Sequence, residues 1–502
     1  MSLKKNVIAN YLGQGWTALM RIAFVPLYIK YLGMESYGLI GIFAVLQSWL
    51  SLLDMGMTPT LGREMSRYSG GAHTAESILD LLRSLEILCT GIAALIVLGV
   101  WGASGWLASS WLQAEKLPVT MVAQVFIVMG VVAALRFVEG LYRSAIVGLQ
   151  RQVLLNSIDA VMSTLRGAGA VAILKYFSPS IKMFFLWQGI LTFVTVVIYV
   201  FVVYVSLPRV NRKPRFSKSA LDKIWHFAAG LMATTLVTLL LTQVDKVLLS
   251  RLLNLKEFGI YTLAGLVAGV LSILSGPIAQ ASYPRMTELL AREKQDEVKT
   301  LYHRSAQLIT VLVGSASVMM ILFSEQIIAL WTGSHDIAER VSPILTLLSI
   351  GNLLNSVMII PYMLQLAHGW SSFAAKVNAV AVAILVPAIL WATPRYGAIG
   401  AAWVWVILNC GYVFISIHFM HMRLIPGEKL RWYSYDLGLP IFACLLVAAI
   451  FRYFQPVGMA RFEELTWLIL CGLFAFAAAM FFASELRADL KKQYELLLRK
   501  IG

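Results

Sequence analysis

The sequence predicts an all-α, polytopic membrane protein, and three observations carry that prediction. Of its 502 residues 59% are hydrophobic, and only 13% are charged. Mean hydropathy is +0.76. Apolar runs about as long as a membrane-crossing helix, roughly 20 residues, follow one another with short breaks. Water-facing surface cannot accommodate this composition at this length, so a soluble enzyme is excluded. No gap between runs reaches the roughly 50 residues that a folded extramembrane domain needs. Whatever the chain does, it does in the bilayer.

About fourteen spans are expected, at 7–29, 37–57, 85–107, 118–138, 153–174, 183–206, 226–248, 258–281, 305–326, 341–364, 372–392, 398–420, 437–454 and 465–484. The first apolar stretch is too long for a signal-peptide core and lacks a small-residue cleavage site, so it reads as the first span. Cys89, Cys410, Cys444 and Cys471 all fall in apolar segments without a C-x-x-C pair, which indicates neither a disulfide framework nor a zinc site. His418 and His421 stand at i and i+3, but a lone pair lacks the further ligands zinc needs and reads as an interfacial polar pair. No Walker loop or Rossmann fingerprint is present, so neither ATP nor another cofactor is expected.

A formal net charge of +15 admits two sources, a nucleic-acid surface or the cytoplasmic loops of a polytopic protein. Placement decides. With the amino terminus inside, the inner segments carry 27 Lys and Arg and the outer ones 10. That bias puts both termini in the cytoplasm and accounts for the charge with no nucleic-acid partner.

The basic, proline-bearing segment around Pro208–Ser219 is the strongest break in composition. It divides the chain into an amino-terminal six-helix lobe (1–207), a cytoplasmic linker (208–220), a second six-helix lobe (221–422), and two additional helices with a tail (423–502). An internal repeat supports the division. Tyr31-Leu-Gly-Met-Glu-Ser-Tyr-Gly-Leu39 aligns with Leu252-Leu-Asn-Leu-Lys-Glu-Phe-Gly-Ile260 at an offset of 221, pairing Tyr37 with Phe258 and Gly38 with Gly259. Two halves with even numbers of spans would be related by an axis along the membrane normal, with substrate between them.

Polar residues inside the apolar helices point to a site. Asn10, Gln14, Thr17, Arg21 and Tyr28 recur at spacings that share one face of the first helix, which therefore does not face lipid. The repeat places Thr235, Thr238 and Thr242 opposite Gln14, Thr17 and Arg21, and that stripe continues to Asp245. Asn156, Asp159, Ser163 and Arg166 form a third stripe. A cation near the bilayer centre costs about 2.5–3.5 kcal/mol on insertion scales, so Arg21 and Arg166 belong in a bundle interior or an aqueous cavity. The plainer alternative for Arg21 is snorkelling, or a packing pair with a carboxylate such as Asp54. Lys246, beside Asp245, reads equally as a ligand or an interfacial lysine. Asp54 is a candidate for gating or for ending its helix, and Asp159 and Asp245 for ion coupling or ordinary interhelical bonding. Arg136, Glu139 and Arg143 read as a self-neutralising surface helix. Gly265 and Gly269 fit close helix packing.

The motifs Asn10-Tyr-Leu-Gly-Gln-Gly-Trp16, Pro26-Leu-Tyr-Ile-Lys-Tyr-Leu-Gly-Met-Glu-Ser-Tyr-Gly-Leu-Ile-Gly41, Leu53-Asp-Met-Gly56, Arg63-Glu64 and Leu141-Tyr-Arg-Ser-Ala-Ile-Val-Gly-Leu-Gln150 resemble bacterial polysaccharide biosynthesis proteins. The resemblance is to the Wzx-type flippases of the multidrug/oligosaccharidyl-lipid/polysaccharide exporter superfamily. It implies a V-shaped, MATE-like pair of six-helix bundles plus a carboxy-terminal hairpin in the bacterial inner membrane. It also implies flipping of undecaprenyl-diphosphate-linked repeat units from the cytoplasmic to the periplasmic leaflet for surface polysaccharide or O-antigen. Implied partners are the lipid-linked oligosaccharide, membrane lipids and other polysaccharide-assembly proteins. On that reading Arg21 and Arg166 balance the diphosphate, Asn10, Gln14 and Thr17 bind sugar hydroxyls, and Trp16 and Tyr28 stack on sugar faces. A cation-coupled multidrug exporter would favour an acidic, aromatic pocket instead. A membrane glycosyltransferase or polymerase would need a sizeable outer loop, and the outer connections are short.

Overall fold

The computed structural model describes residues 3–208, 210, 212–218 and 225–489, with side chains described from residue 9 except at 225–235, 237, 238 and 241. The Thr235 and Thr238 side chains, Arg209, Lys223 and the four lysines and arginines after residue 490 lie outside the described residues. Among the described residues the chain is helical throughout, apart from turns and one isolated bridge between Gln113 and Asn254.

The first helices are α1 (Leu3–Ala23), α2 (Val25–Leu50), the amphipathic α3 (Met57–Ser69), α4 (Ala75–Trp106), α5 (Val119–Gly148), α6 (Gln152–Tyr176), α7 (Ile181–Ser206) and α8 (Trp225–Leu252). Next come α9 (Leu255–Ala268), α10 (Val270–Ala291), α11 (Gln295–Leu322), α12 (Ser324–Thr332), α13 (His335–Val357), α14 (Ile359–Ala367) and α15 (Ser371–Gly411). The described chain closes with α16 (Ile417–Leu424) and a hairpin of α17 (Leu439–Tyr453) and α18 (Arg461–Phe482).

Eleven segments of the described residues are long and apolar enough to cross a membrane. Of the expected spans, 7–29 is not among them, because its polar stripe lowers the hydropathy, and the one at 226–248 lies largely among residues whose side chains are not described. Those expected at 372–392 and 398–420 lie together in one 54-residue segment, Ser371–Leu424. That segment breaks at Gly397, whose φ of 60° and ψ of −148° no helix accommodates. Gly33 (φ 78°, ψ 166°) breaks α2 in the same way, between the spans expected at 7–29 and 37–57. At both sites the missing Cβ removes the steric penalty of a positive φ.

The chain divides into two compact units, Met1–Gly259 and Ile260–Gly502. In the first unit Met57, Leu61 and Met65, four residues apart on α3, bury themselves among Ile78, Leu82, Leu85, Ala145 and Ile146. Arg63 and Arg67 point away on the opposite face, half exposed. This separation is what a helix lying along the first unit's apolar surface requires. The second unit has one core around Tyr302, Ile309, Ile360, Ile417 and Trp432. Another joins α11 to the terminal hairpin through Val318, Phe323, Cys444, Cys471 and Ala475. All four cysteines are free.

Candidate functional site

Within the first unit, α1, α2, α5, α6 and α7 surround a cavity of about 450 Å³. Its wall carries three guanidinium groups, Arg21 from the last turn of α1, Arg136 from α5 and Arg166 from α6. Thr17, Gln47, Ser163 and Gln188 add neutral polar groups, and Tyr28, Phe43, Phe184 and Phe185 supply aromatic surface. Beside Arg166, Gly167 packs against Phe24 at the junction of α1 and α2, where a Cβ would stand 2.1 Å from the ring.

The three arginines differ in how they are held. Arg21 is exposed to the cavity. Arg136 donates to Gln47 Oε1 at 2.9 Å and lies 5.3 Å from the centre of the Phe43 ring. Arg166 donates to Glu139 Oε2 and to Thr195 Oγ1, both at 3.1 Å. Glu139 neutralises Arg166, which leaves Arg21 and Arg136 as uncompensated cations on the wall. The Nε atoms of Arg136 and Arg166 are buried and have no hydrogen-bond partner among the described residues.

The structure thus brings Arg21, Arg166, Thr17 and Tyr28 to one cavity. The other stripe residues serve elsewhere. Asn10 accepts from Asn156 Nδ2 at 2.6 Å and donates to Gln152 at 3.2 Å, fastening α1 to α6. Trp16 donates to Thr164 on the same helix at 3.0 Å. Gln14 is exposed and is not part of the cavity wall. Asp159 accepts from Arg143 at 2.7 Å and from Tyr199, a closed ion-pair network between α5, α6 and α7. Asp54 does not partner Arg21: it accepts from the Thr58 backbone N–H at 3.0 Å and from the Thr58 hydroxyl, and so caps α3. It lines a second cavity of about 350 Å³ whose wall also includes Arg136. Lys246 donates to the Thr242 carbonyl at 2.7 Å and lies 3.4 Å from Asp245, with neither residue on the arginine cavity.

One reading is corrected. Arg136, Glu139 and Arg143 do not neutralise one another on a surface helix. Each faces another element: Arg136 the cavity, Glu139 the Arg166 side chain, Arg143 the Asp159 side chain. The reason is length. The apolar run ends near residue 138, but α5 continues to Gly148, so Glu139 still sits among the helices beside Arg166, and Arg143, half-exposed, reaches across to Asp159 on α6. Gly265 is a second correction, since a Cβ there would meet nothing within 4 Å and no close packing uses it. His418 and His421 also separate, the first facing Lys429 Nζ at 3.0 Å and the second Tyr302 at 3.2 Å.

The amino-acid sequence over residues 3–290 matches the polysaccharide biosynthesis protein family. A putative O-antigen transporter of Shigella flexneri is 20% identical over 409 residues, covering 81% of this chain and 95% of that protein. Among solved structures, a lipid II flippase MurJ in an inward closed conformation superposes with a TM-score of 0.69 at 14% identity, covering 97% of this chain and 99% of that one. An inward-facing multidrug resistance MATE family transporter reaches 0.65 at 14% identity, covering 83% of this chain and 96% of that one. These two share the fold. The family match spans more than half of the chain, and the chain accordingly belongs to the polysaccharide biosynthesis protein family.

Proposed function

We propose that this multi-pass membrane protein flips undecaprenyl-diphosphate-linked oligosaccharide repeat units from the cytoplasmic to the periplasmic leaflet of the bacterial inner membrane, for surface polysaccharide or O-antigen assembly. The convergence of Arg21, Arg136 and Arg166 on one cavity carries this reading. A diphosphate and a hydrated glycan cannot cross about 30 Å of hydrocarbon cheaply, whereas a polyprenyl tail never has to leave it. The protein then has to shelter only the head group. Arg21 and Arg136 offer uncompensated charge, and guanidinium groups bind phosphate oxygens in bidentate fashion. Gln47, Gln188 and Thr17 suit sugar hydroxyls, and Tyr28 suits a sugar face. No bond is made or broken, so the activity is transport, by alternating exposure of the cavity with both termini in the cytoplasm. Family membership and the similarity to a putative O-antigen transporter agree with this.

The test is reconstitution of the chain in vesicles with a labelled lipid-linked oligosaccharide, following leaflet exposure and, in parallel, efflux of a cationic dye. Removing one charge-assisted hydrogen bond costs about 1.5–3 kcal/mol, so Arg21→Ala and Arg136→Ala should each slow flipping by roughly ten-fold or more while inserting normally. Wild-type flipping rates in both variants, or dye efflux without glycolipid flipping, would sink the proposal.

A further inference from the structure

The second unit contains a buried histidine whose surroundings differ from those of every site above. His303 lies on α11, wholly inaccessible, with carboxylates on both sides of its ring. Nδ1 faces Asp436 Oδ2, and Nε2 faces Glu428 Oε2 at 3.2 Å. Asp436 is itself fully buried, on a π-helical turn at 432–438 that leads into the terminal hairpin. Glu428 stands just before that turn.

Counting donors decides the protonation state. A neutral imidazole has one N–H and one lone pair, and an ionised carboxylate only accepts. Two carboxylates across one ring therefore require one proton more than the neutral ring carries. Placed on His303, that proton gives each ring nitrogen an N–H for the carboxylate it faces. The neighbouring His421 shows the opposite case. Its Nδ1 lies 3.0 Å from the Ile417 carbonyl and its Nε2 lies 3.2 Å from the Tyr302 hydroxyl, which a single N–H satisfies.

The local charge count agrees. Lys299 reaches Glu428 Oε1 at 3.4 Å, and Arg431 stands between Glu428 (3.7 Å) and Glu485 (2.5 Å). With His303 protonated, three cations face Asp436, Glu428 and Glu485; with it neutral, one buried negative charge is left over. Burial acts to raise the Glu428 carboxyl, but the hydrogen bond from Lys299 and the attraction of His303 outweigh it and hold that group below the usual carboxylate range. One turn along α11, Gln307 donates to Asp436 at 2.9 Å and to Ser484 at 3.3 Å, and accepts from the Glu485 backbone N–H at 2.9 Å. Residues 303 and 307 thereby hold both ends of the hairpin.

We infer that His303, Asp436 and Glu428 form a buried proton-binding site whose proton ties the start of the terminal hairpin to α11. Losing the proton sets an imidazole lone pair against a carboxylate in a dry contact, so the 428–438 segment should loosen as pH rises. The site stands independently of the transport reading.

The experiment is nitrogen NMR of the full chain in nanodiscs with its 7 histidines labelled at the ring nitrogens, His303→Gln identifying the His303 signals by their loss. Near neutral pH both His303 nitrogens should resonate together as an imidazolium. In Glu428→Gln, whose amide can donate to Nε2, they should separate into the two signals of a neutral ring. Amide exchange of 432–438, corrected for its intrinsic pH dependence, should accelerate on the alkaline side of neutral in the wild type and stay level in Glu428→Gln. A neutral His303 ring in the wild type near neutral pH would overturn the inference, and so would identical alkaline loosening in both proteins.

Discussion

Arg166 has a fixed partner in Glu139 and also borders the cavity, so its two roles can be separated by substitution. In Arg166→Ala the Glu139 carboxylate, whose side chain is 14% exposed, keeps its charge without compensation. Breaking such a pair costs about 3–5 kcal/mol when fully buried, and partial exposure puts this case at or below the lower end. Arg166→Ala/Glu139→Ala should recover most of that stability, read by thermal unfolding, while flipping stays impaired because the cavity still lacks a guanidinium. Full recovery of flipping in the double variant would reduce Arg166 to a packing residue. At this scale the sequence was only partly legible. Spacing along α1 identifies a face turned from lipid, and Thr17 and Arg21 on that face do border the cavity, as does Tyr28, which the structure places on α2. The same spacing cannot distinguish a cavity from a neighbouring helix, which is where Asn10 and Trp16 are engaged. Arg136 was hidden because its spacing with Glu139 and Arg143 reads as self-neutralisation within one helix, whereas Glu139 pairs with Arg166 and Arg143 with Asp159 on a neighbouring helix.

Helices here meet through glycines as much as through large side chains. The two copies of the internal repeat pack on each other: a Cβ on Gly259 would lie 2.6 Å from the Met34 carbonyl and 3.1 Å from the Gly38 nitrogen, and one on Gly38 would lie 2.2 Å from the Leu255 carbonyl. Tyr37 and Phe258, also equivalent, are both buried. Because the obstructing atoms are backbone, they cannot rotate away. Gly38→Ala and Gly259→Ala should each destabilise by about 1–3 kcal/mol. Gly265→Ala, with open space around it, should be neutral or stabilising by up to about 1 kcal/mol through helix propensity. Thermal unfolding of the three variants checks the ranking, and a Gly38→Ala protein as stable as the wild type would refute the close contact. Two element boundaries were legible where a glycine breaks an apolar run, at Gly33 and Gly397, whereas the helices continue through Pro277, Pro284 and Pro343. Where a polar stripe dilutes the run, in α1, hydropathy alone understates a helix that the bundle completes.

For the whole molecule the governing asymmetry is charge. A net +15 distributed evenly would place cations on both membrane faces, but the segments read as inner carry most of the lysines and arginines, and the anionic inner leaflet attracts them. Two exposed positions, on loops expected at opposite faces, report the result. Ala72 follows α3 on the expected inner side, and Val457 lies between α17 and α18 on the expected outer side. Three of the four native cysteines are buried, so Cys410→Ser supplies a quiet background. In intact cells a membrane-impermeant thiol reagent should label Val457→Cys and leave Ala72→Cys unlabelled until the membrane is opened. The reverse pattern would invert the chain, and with it the direction in which an arginine-lined cavity could carry a glycolipid. Labelling of both from outside would show that an even number of crossings separates the two loops, which contradicts the span order on which the transport mechanism depends.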